Sequence, residues 1–204
     1  TTGQKVVVLG DSGVGKTSIL LQFSEHVFRR NTAPTVGAGV INKEVNTQSG
    51  PVLLNIWDTA GEERYKSFTG LYTQGAVCCV IIFDLTCKES FENIPNWIEI
   101  FNQKAEDEHV IYMVGNKIDL DDEREITFNE AFDWCDKNGY KYFEVSAKTG
   151  ENVELVFNEI ATTVGPKKDE ANKIEINTTT ENEKEEKCCR SEERRVGKEC
   201  RSRW

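Results

Sequence analysis

The sequence predicts an α/β fold: a mostly parallel sheet in the middle layer, covered by helices on both faces. Two observations carry this. Short, continuous apolar runs rich in Val and Ile recur along the chain, and a strand that is apolar throughout is buried on both sides. Segments with apolar residues at helical spacing separate those runs, the alternation that builds βαβ units.

The elements follow in order. Lys5–Leu9 (KVVVL) reads as a buried strand, and Thr17–Ser24 as the helix after it. Val40–Val45 and Pro51–Trp57 flank Gln48-Ser49-Gly50, which predicts a hairpin and one antiparallel edge. Ala76–Asp84 (AVCCVIIFD) is an apolar strand. Phe91, Ile94, Trp97, Ile98 and Phe101 place a helix over Phe91–Lys104. Val110–Asn116 is another buried strand. Thr127–Asn138 is a helix that starts at a Thr cap and stops near Gly139. Tyr142–Val145 is a short last strand, and Asn152–Val164 a last helix with Val153, Val156, Phe157, Ile160 and Ala161 on one stripe.

At Pro166 the composition changes. Residues 166–187 are mainly Lys, Glu, Asp, Asn and Thr, with almost nothing to bury, and read as a disordered tail. One domain, residues 1–165, is therefore expected ahead of a tail over 166–189. The chain has 204 residues and a net charge of −10. An acidic balance argues against a nucleic-acid partner, since a phosphate backbone needs a basic face. No run of about 18 apolar residues is present to span a bilayer. The chain opens on Thr1 rather than Met, and no charged-then-apolar leader is read at its start. Seven cysteines are present. The adjacent Cys78 and Cys79 sit in an apolar run, Cys87 and Cys135 stand alone, and no CxxC pair or His cluster suggests zinc. The expectation is a reducing compartment, with buried thiols acting as small apolar residues.

The strongest chemical signal is Gly10-Asp11-Ser12-Gly13-Val14-Gly15-Lys16-Thr17, a GxxxxGKT between a strand and a helix. Such a loop turns backbone N–H groups toward phosphate oxygens, and the helix N-terminus adds positive potential. Lys16 can reach the β- and γ-phosphates, and the Thr17 hydroxyl can coordinate Mg²⁺. Ser12, Gly13, Val14 and Gly15 complete the candidate phosphate-binding loop. Asn116-Lys117-Ile118-Asp119 lies at the carboxyl end of a strand, where open α/β sheets bind ligands. Asp119 can accept from the N1–H and 2-amino group of guanine, a pattern adenine lacks. Lys117 can lie along the base, and Asn116 can tie this loop to the phosphate loop. Ser146-Ala147-Lys148 follows the last strand and can offer the Ala147 N–H to the guanine carbonyl. Asp58 ends the strand LLNIWD and can hold Mg²⁺ through water. Gly61 can bring its N–H to the γ-phosphate, and Thr35 can add a second hydroxyl to the metal.

GDSGVGKT, PTVG, WDTAGEER, GNKID and VSAK occur in the order and at the spacings of Ras-like small GTPases. WDTAG, the ERY after it and a two-cysteine tail resemble the Rab family in particular. The resemblance covers Lys5 to Val164. It implies the three-layer P-loop NTPase fold, with six strands and about five helices. It also implies that Phe28 packs against guanine, that Ser18 contacts the α-phosphate region, and that Mg²⁺ accompanies GTP or GDP. The implied activity is slow GTP hydrolysis, coupled to recruitment of effectors in vesicular traffic. Loops near Asn31–Val40 and Gly61–Gln74 would be ordered by the γ-phosphate and relax after hydrolysis. Trp57 and Tyr72 match aromatic positions of the family's effector surface; Val40 stands where Rabs carry an aromatic, and Gly39 where a larger residue is common. The implied partners are exchange factors, GTPase-activating proteins, a GDP-dissociation inhibitor or escort protein, and effectors around a monomeric core. The implied location is the cytoplasmic face of intracellular membranes. Ala38 and Asn96-Trp97 lean toward endosomal Rabs.

One departure bears on catalysis. Rabs usually carry Gln where this chain has Glu62. A carboxylate keeps the acceptor that orients water but loses the amide donor. Its charge facing the γ-phosphate is unfavourable by ~1–4 kcal/mol in solvated surroundings, while its basicity favours proton acceptance. Three other readings stand beside an enzyme: a binding module with negligible hydrolysis, a P-loop kinase or NTPase of another class, and a non-membrane regulator.

Cys188 and Cys189 resemble the Rab double-cysteine prenylation signal. Two prenyl chains anchor stably where one does not. Residues 190–204 (RSEERRVGKECRSRW) do not fit. They back-translate without mismatch to a common sequencing-library adapter and are expected to be read-through. Without their six basic and three acidic residues the net charge is −13.

Overall fold

The computed structural model describes residues 3–30, 35, 37–61, 72–105 and 108–166. They belong to one compact unit, Thr1–Lys168. Six strands, β1 (Gln4–Leu9), β2 (Ala38–Thr47), β3 (Gly50–Thr59), β4 (Cys78–Asp84), β5 (Val110–Asn116) and β6 (Lys141–Val145), form one sheet in the order β2-β3-β1-β4-β5-β6. Only the β2–β3 pair is antiparallel. Five α-helices occur among the described residues: α1 (Lys16–Glu25), α2 (Lys88–Glu92), α3 (Ile94–Asn102), α4 (Phe128–Lys137) and α5 (Val153–Val164).

The continuous apolar strands feed two cores, because successive side chains point to opposite faces. Val6 and Val8 of β1, with Cys78, Val80 and Ile82 of β4, face α1 and α5. Val7 and Leu9, with Cys79, Ile81 and Phe83, face α3 and α4. Phe23 of α1 stacks on Phe157 of α5 with centroids 4.1 Å apart. Trp97 and Phe101 of α3 are fully buried on the opposite face. Cys78, Cys79 and Cys135 are free and buried, as the apolar reading of the thiols requires, and Cys87 is free and half-buried. Burial pushes the Cys135 thiol up to about 12.

Three boundaries differ from the sequence reading. The helix expected over Phe91–Lys104 starts earlier and is broken at Asn93 into α2 and α3. Pro95 sits in the first turn of α3, where its missing N–H is harmless, whereas inside a continuous helix it would delete a bond. The strand expected from Ala76 begins at Cys78, because the Ala76 N–H closes a turn on the Thr73 carbonyl. The hairpin strands also run further than their apolar residues, since backbone pairing continues to Ala38↔Thr59 and Thr47↔Gly50. Elsewhere the expected elements hold. α4 is capped by Thr127, whose hydroxyl accepts from the Glu130 N–H at 3.2 Å.

Because β1, β3, β4, β5 and β6 are parallel, their carboxyl ends share one edge. The loops after β1, β3, β5 and β6, which hold the candidate site residues, converge there.

Candidate functional site

The loop 10–15 leaves β1 and delivers Gly15 in a left-handed conformation (φ 96°) as the residue before α1. A Cβ on Gly15 would lie 2.3 Å from Asn116 Nδ2. Glycine is thus required both for the turn and for the approach of the β5 loop. α1 has no side-chain cap and no acidic residue in its first turn. Its N-terminal N–H groups and dipole are therefore left for an anion.

Lys16 is buried and curls back over the loop, donating to the Gly10 and Asp11 carbonyls at 2.9 and 2.7 Å. Burial pushes its amine down to about 8, with Asp58 and Asp11 resisting. Nearby, Thr17 Oγ1 donates to Asp58 Oδ2 at 2.7 Å and lies 2.9 Å from Thr35 Oγ1. Burial raises the Asp58 carboxyl, while Thr17 and Lys16 oppose the rise. Among the described residues Asp58 Oδ1 is buried with no hydrogen-bond partner. Two hydroxyls beside an orphaned carboxylate oxygen are the hard donor set of Mg²⁺, which takes few protein ligands and completes its octahedron with phosphate and water. No cluster of three or more His, Cys, Asp or Glu suited to a metal occurs among the described residues. The residues present therefore fit Mg²⁺ held jointly with a phosphate ligand.

The base-reading loops are joined directly. Asn116 Nδ2 donates to the Val14 carbonyl at 2.8 Å, and its Oδ1 accepts from the Ala147 N–H at 3.1 Å. One buried amide thus binds the phosphate loop to the loop after β6. Ser146 Oγ donates to Asp119 Oδ1 at 2.6 Å, and Lys148 Nζ lies 3.2 Å from Asp119 Oδ2. Burial alone would raise the Asp119 carboxyl; Ser146 and Lys148 outweigh it and hold the group below its ordinary value. Asp119 is therefore an anionic acceptor at neutral pH.

A cleft of about 420 Å³ runs between these parts. Ser12, Gly13, Gly15, Lys16, Thr17, Ser18, Thr35 and Gly61 line one end, and Phe28, Asn116, Lys117, Asp119, Ala147 and Lys148 the other. Of the remaining expected residues, Val14 turns its side chain into the core and offers its carbonyl to Asn116. Asp58 and Ser146 stand buried behind the cleft wall. The Ala147 N–H, expected to face a guanine carbonyl, is engaged by Asn116 instead. Glu62, Cys188 and Cys189 lie outside the described residues.

A Ras family sequence profile matches residues 5–185. The chain is 42% identical over 162 residues to the Ras-related protein Rab-7a of Paramecium octaurelia, covering 77% of this chain and 79% of that one. The Ras-related protein RABG3f of Arabidopsis thaliana is 42% identical over 164 residues, 77% and 80% of the two chains. The Ras-related protein Rab7 of Drosophila melanogaster is 42% identical over 162 residues, 77% and 78%. The chain belongs to the Rab family of Ras-like GTPases. Guanine-nucleotide binding, GTPase activity and a place in membrane traffic come with that membership.

The structure also supplies Rab site residues that the sequence reading missed. Arg29, Arg30 and Leu120 line the cleft; the adjacent basic pair in an acidic chain was the available signal. Asp84, at the end of β4, pairs with Lys117 at 2.5 Å and pins that side chain, whose backbone adopts φ 72°. Nothing local in the sequence links residues 33 positions apart.

The expected effector-face residues do meet. Val40 pairs with Trp57 across β2 and β3, and the Trp57 ring lies 6.0 Å from that of Tyr72. Lys5 Nζ sits 4.5 Å from the Trp57 ring and donates to the Gln74 carbonyl. Val40 remains 46% exposed. No helix among the described residues is long and apolar enough to cross a membrane.

Proposed function

We propose that this Rab is a GTP-dependent switch that binds GTP or GDP with Mg²⁺, hydrolyses GTP slowly when unaided, and recruits effectors at the cytoplasmic face of intracellular membranes. One observation carries the reading: the Asn116 amide couples the phosphate loop to the loop that orients Asp119. Base and phosphate recognition are thereby built as one site.

In this reading Lys16 exchanges its two backbone acceptors for β- and γ-phosphate oxygens. Ser12, Gly13, Val14 and Gly15 supply the loop backbone, and Ser18 contacts the α-phosphate region. Thr17, Thr35 and, through water, Asp58 would hold Mg²⁺, which would supply positive charge against the phosphates. Phe28 covers the guanine, Asn116, Lys117, Ser146, Ala147 and Lys148 frame it, and Asp119 accepts from its N1–H and 2-amino group. A Cβ on Gly61 would fall 2.5 Å from the Asp11 backbone carbonyl oxygen, so glycine is what lets this segment lie against the phosphate loop with its N–H beside the γ-phosphate. Glu62 orients the attacking water. Hydrolysis removes the γ-phosphate and with it the contacts through Thr35 and Gly61, so a partner reading Val40, Trp57 and Tyr72 reads the nucleotide. Residues 1–165 form the switch, and 166–189 the tail whose Cys188 and Cys189 carry the prenyl groups. Exchange factors, GTPase-activating proteins, a GDP-dissociation inhibitor or escort protein, and effectors complete the cycle. Ala38 and Asn96-Trp97 support an endosomal compartment.

Glu62 favours a second reading, a GTP-dependent recruitment module with negligible intrinsic hydrolysis. Single-turnover measurements on the full chain and on Glu62→Gln separate the two. Slow release of phosphate, accelerated by a Rab-type activating protein, supports the switch. No turnover with the activator present leaves the recruitment module. Equal competition by ATP for the bound GTP would reject both.

A further inference from the structure

Arg124 and Glu144 form a nearly enclosed ion pair behind the base-reading loops. Their side chains are 16% and 8% exposed. Arg124 Nη1 donates to Glu144 Oε1 at 2.9 Å and Nη2 to Oε2 at 2.6 Å, the two parallel bonds of a guanidinium–carboxylate fork. Glu144 Oε1 also accepts from the Tyr142 hydroxyl at 2.7 Å. Burial and the neighbouring carboxylate push that hydroxyl well up, so it remains a donor. Arg124 Nη1 further donates to the Ile126 carbonyl, holding the segment after Asp119 in its turn.

The location of this cluster decides its use. Arg124 belongs to the segment that carries Asp119, and Glu144 stands two residues before Ser146. A Cβ on Gly115, the residue before Asn116, would lie 3.0 Å from the Tyr142 hydroxyl. The cluster therefore touches both chain segments that bear the polar base-reading groups, the one through Asn116–Asp119 and the one through Ser146–Lys148, and it does not line the cleft. A buried ion pair adds little net stability against its desolvation. A bidentate fork does fix distance and angle between the two segments it joins.

We infer that the Arg124–Glu144 fork, steadied by Tyr142, is a positioning device for guanine selection: it sets the separation of the Asp119 and Ser146 segments. The inference rests on the proposed role of Asp119 as acceptor for the guanine N1–H and 2-amino group. Loosening the fork disorders contacts to the base and leaves those to the phosphates. The sensitive readout is thus not affinity alone but the preference for GDP over inosine diphosphate, which lacks the 2-amino group.

The test measures dissociation of both nucleotides, with Mg²⁺, from the full chain and from Arg124→Gln, Glu144→Gln and the double variant. Glu159→Gln, which breaks the exposed Lys141–Glu159 pair, is the control. The unaltered chain is expected to hold GDP about tenfold or more over inosine diphosphate, the discrimination of one hydrogen bond to a charged group. Each single variant should lower that ratio about fivefold or more, the double variant no further, and the control not at all. A ratio unchanged in both single variants, with only the melting temperature lowered, overturns the inference. Equal loss in the control does the same. Absence of any preference in the unaltered chain overturns the role of Asp119 itself. Should Arg124→Gln fail to fold, Glu144→Gln, isosteric with the native side chain, decides by the same ratio.

Discussion

Asp119 receives hydrogen bonds on both of its oxygens and keeps its charge, although burial works against ionisation. In the proposed site two charged hydrogen bonds to guanine, at ~1.5–3 kcal/mol each, would make this the steepest single determinant of base choice. The Asp119→Asn variant can still take the Ser146 bond on its amide oxygen, which turns the amide nitrogen toward the base. A donor then meets the guanine 2-amino donor. GDP affinity should fall by roughly a hundredfold or more, while xanthosine diphosphate, with an oxygen at that position, gains affinity. Competition titration against a fluorescent guanine nucleotide checks both directions; unaltered GDP binding would remove Asp119 from the site. The expectation for this residue rested on four consecutive letters after a strand, Asn116-Lys117-Ile118-Asp119, while its partners Ser146 and Lys148 come from another loop. The Arg124–Glu144 and Asp84–Lys117 pairs were not readable. Their partners stand 20 and 33 positions apart, and only the parallel order of β4, β5 and β6 makes them neighbours.

Helices α1 and α5 cover one face of the sheet, and Phe157 is the hinge of that packing: wholly buried, and stacked on Phe23. Phe157→Ala removes the ring and leaves a cavity that neither helix can close, a cost of about 3–5 kcal/mol. For a domain of this size that corresponds to a melting temperature lower by roughly 6–20 °C. Added GDP with Mg²⁺ should still raise the melting temperature, because the cleft is built by loops at the strand ends and not by this face. Thermal denaturation with and without nucleotide tests it, and a loss under about 1 kcal/mol would show that the helices pack independently. Helix α5 was evident from its apolar stripe, and the strands from their unbroken runs. The break between α2 and α3 was harder, because Phe91, Ile94, Trp97 and Phe101 keep helical spacing straight through it. All four remain buried, so periodicity reported the buried face correctly while Pro95 ended the hydrogen-bond ladder.

The alternation of strands and helices gives a mostly parallel sheet but not the order of its strands, β2-β3-β1-β4-β5-β6, which no local pattern carries. Membrane attachment is the corresponding question outside the described residues. The chain carries a net charge of −10, and the segment before Cys188 has no basic run. An anionic membrane surface therefore repels the protein rather than holding it. In the proposed cycle attachment then rests on lipid, and a single chain binds only reversibly where two bind stably. A tagged form ending at Cys189 should concentrate on intracellular membranes, carrying two prenyl groups by mass spectrometry. Cys188→Ser with Cys189→Ser should remain soluble, and either single change should give weak, exchanging attachment. A form extended by residues 190–204 should behave like the double variant, since those residues displace the cysteines from the end of the chain. Membrane recruitment of the double variant would refute lipid anchoring. An exon encoding RSEERRVGKECRSRW, with membrane attachment of the extended form, would instead make that segment native and move the anchor into it.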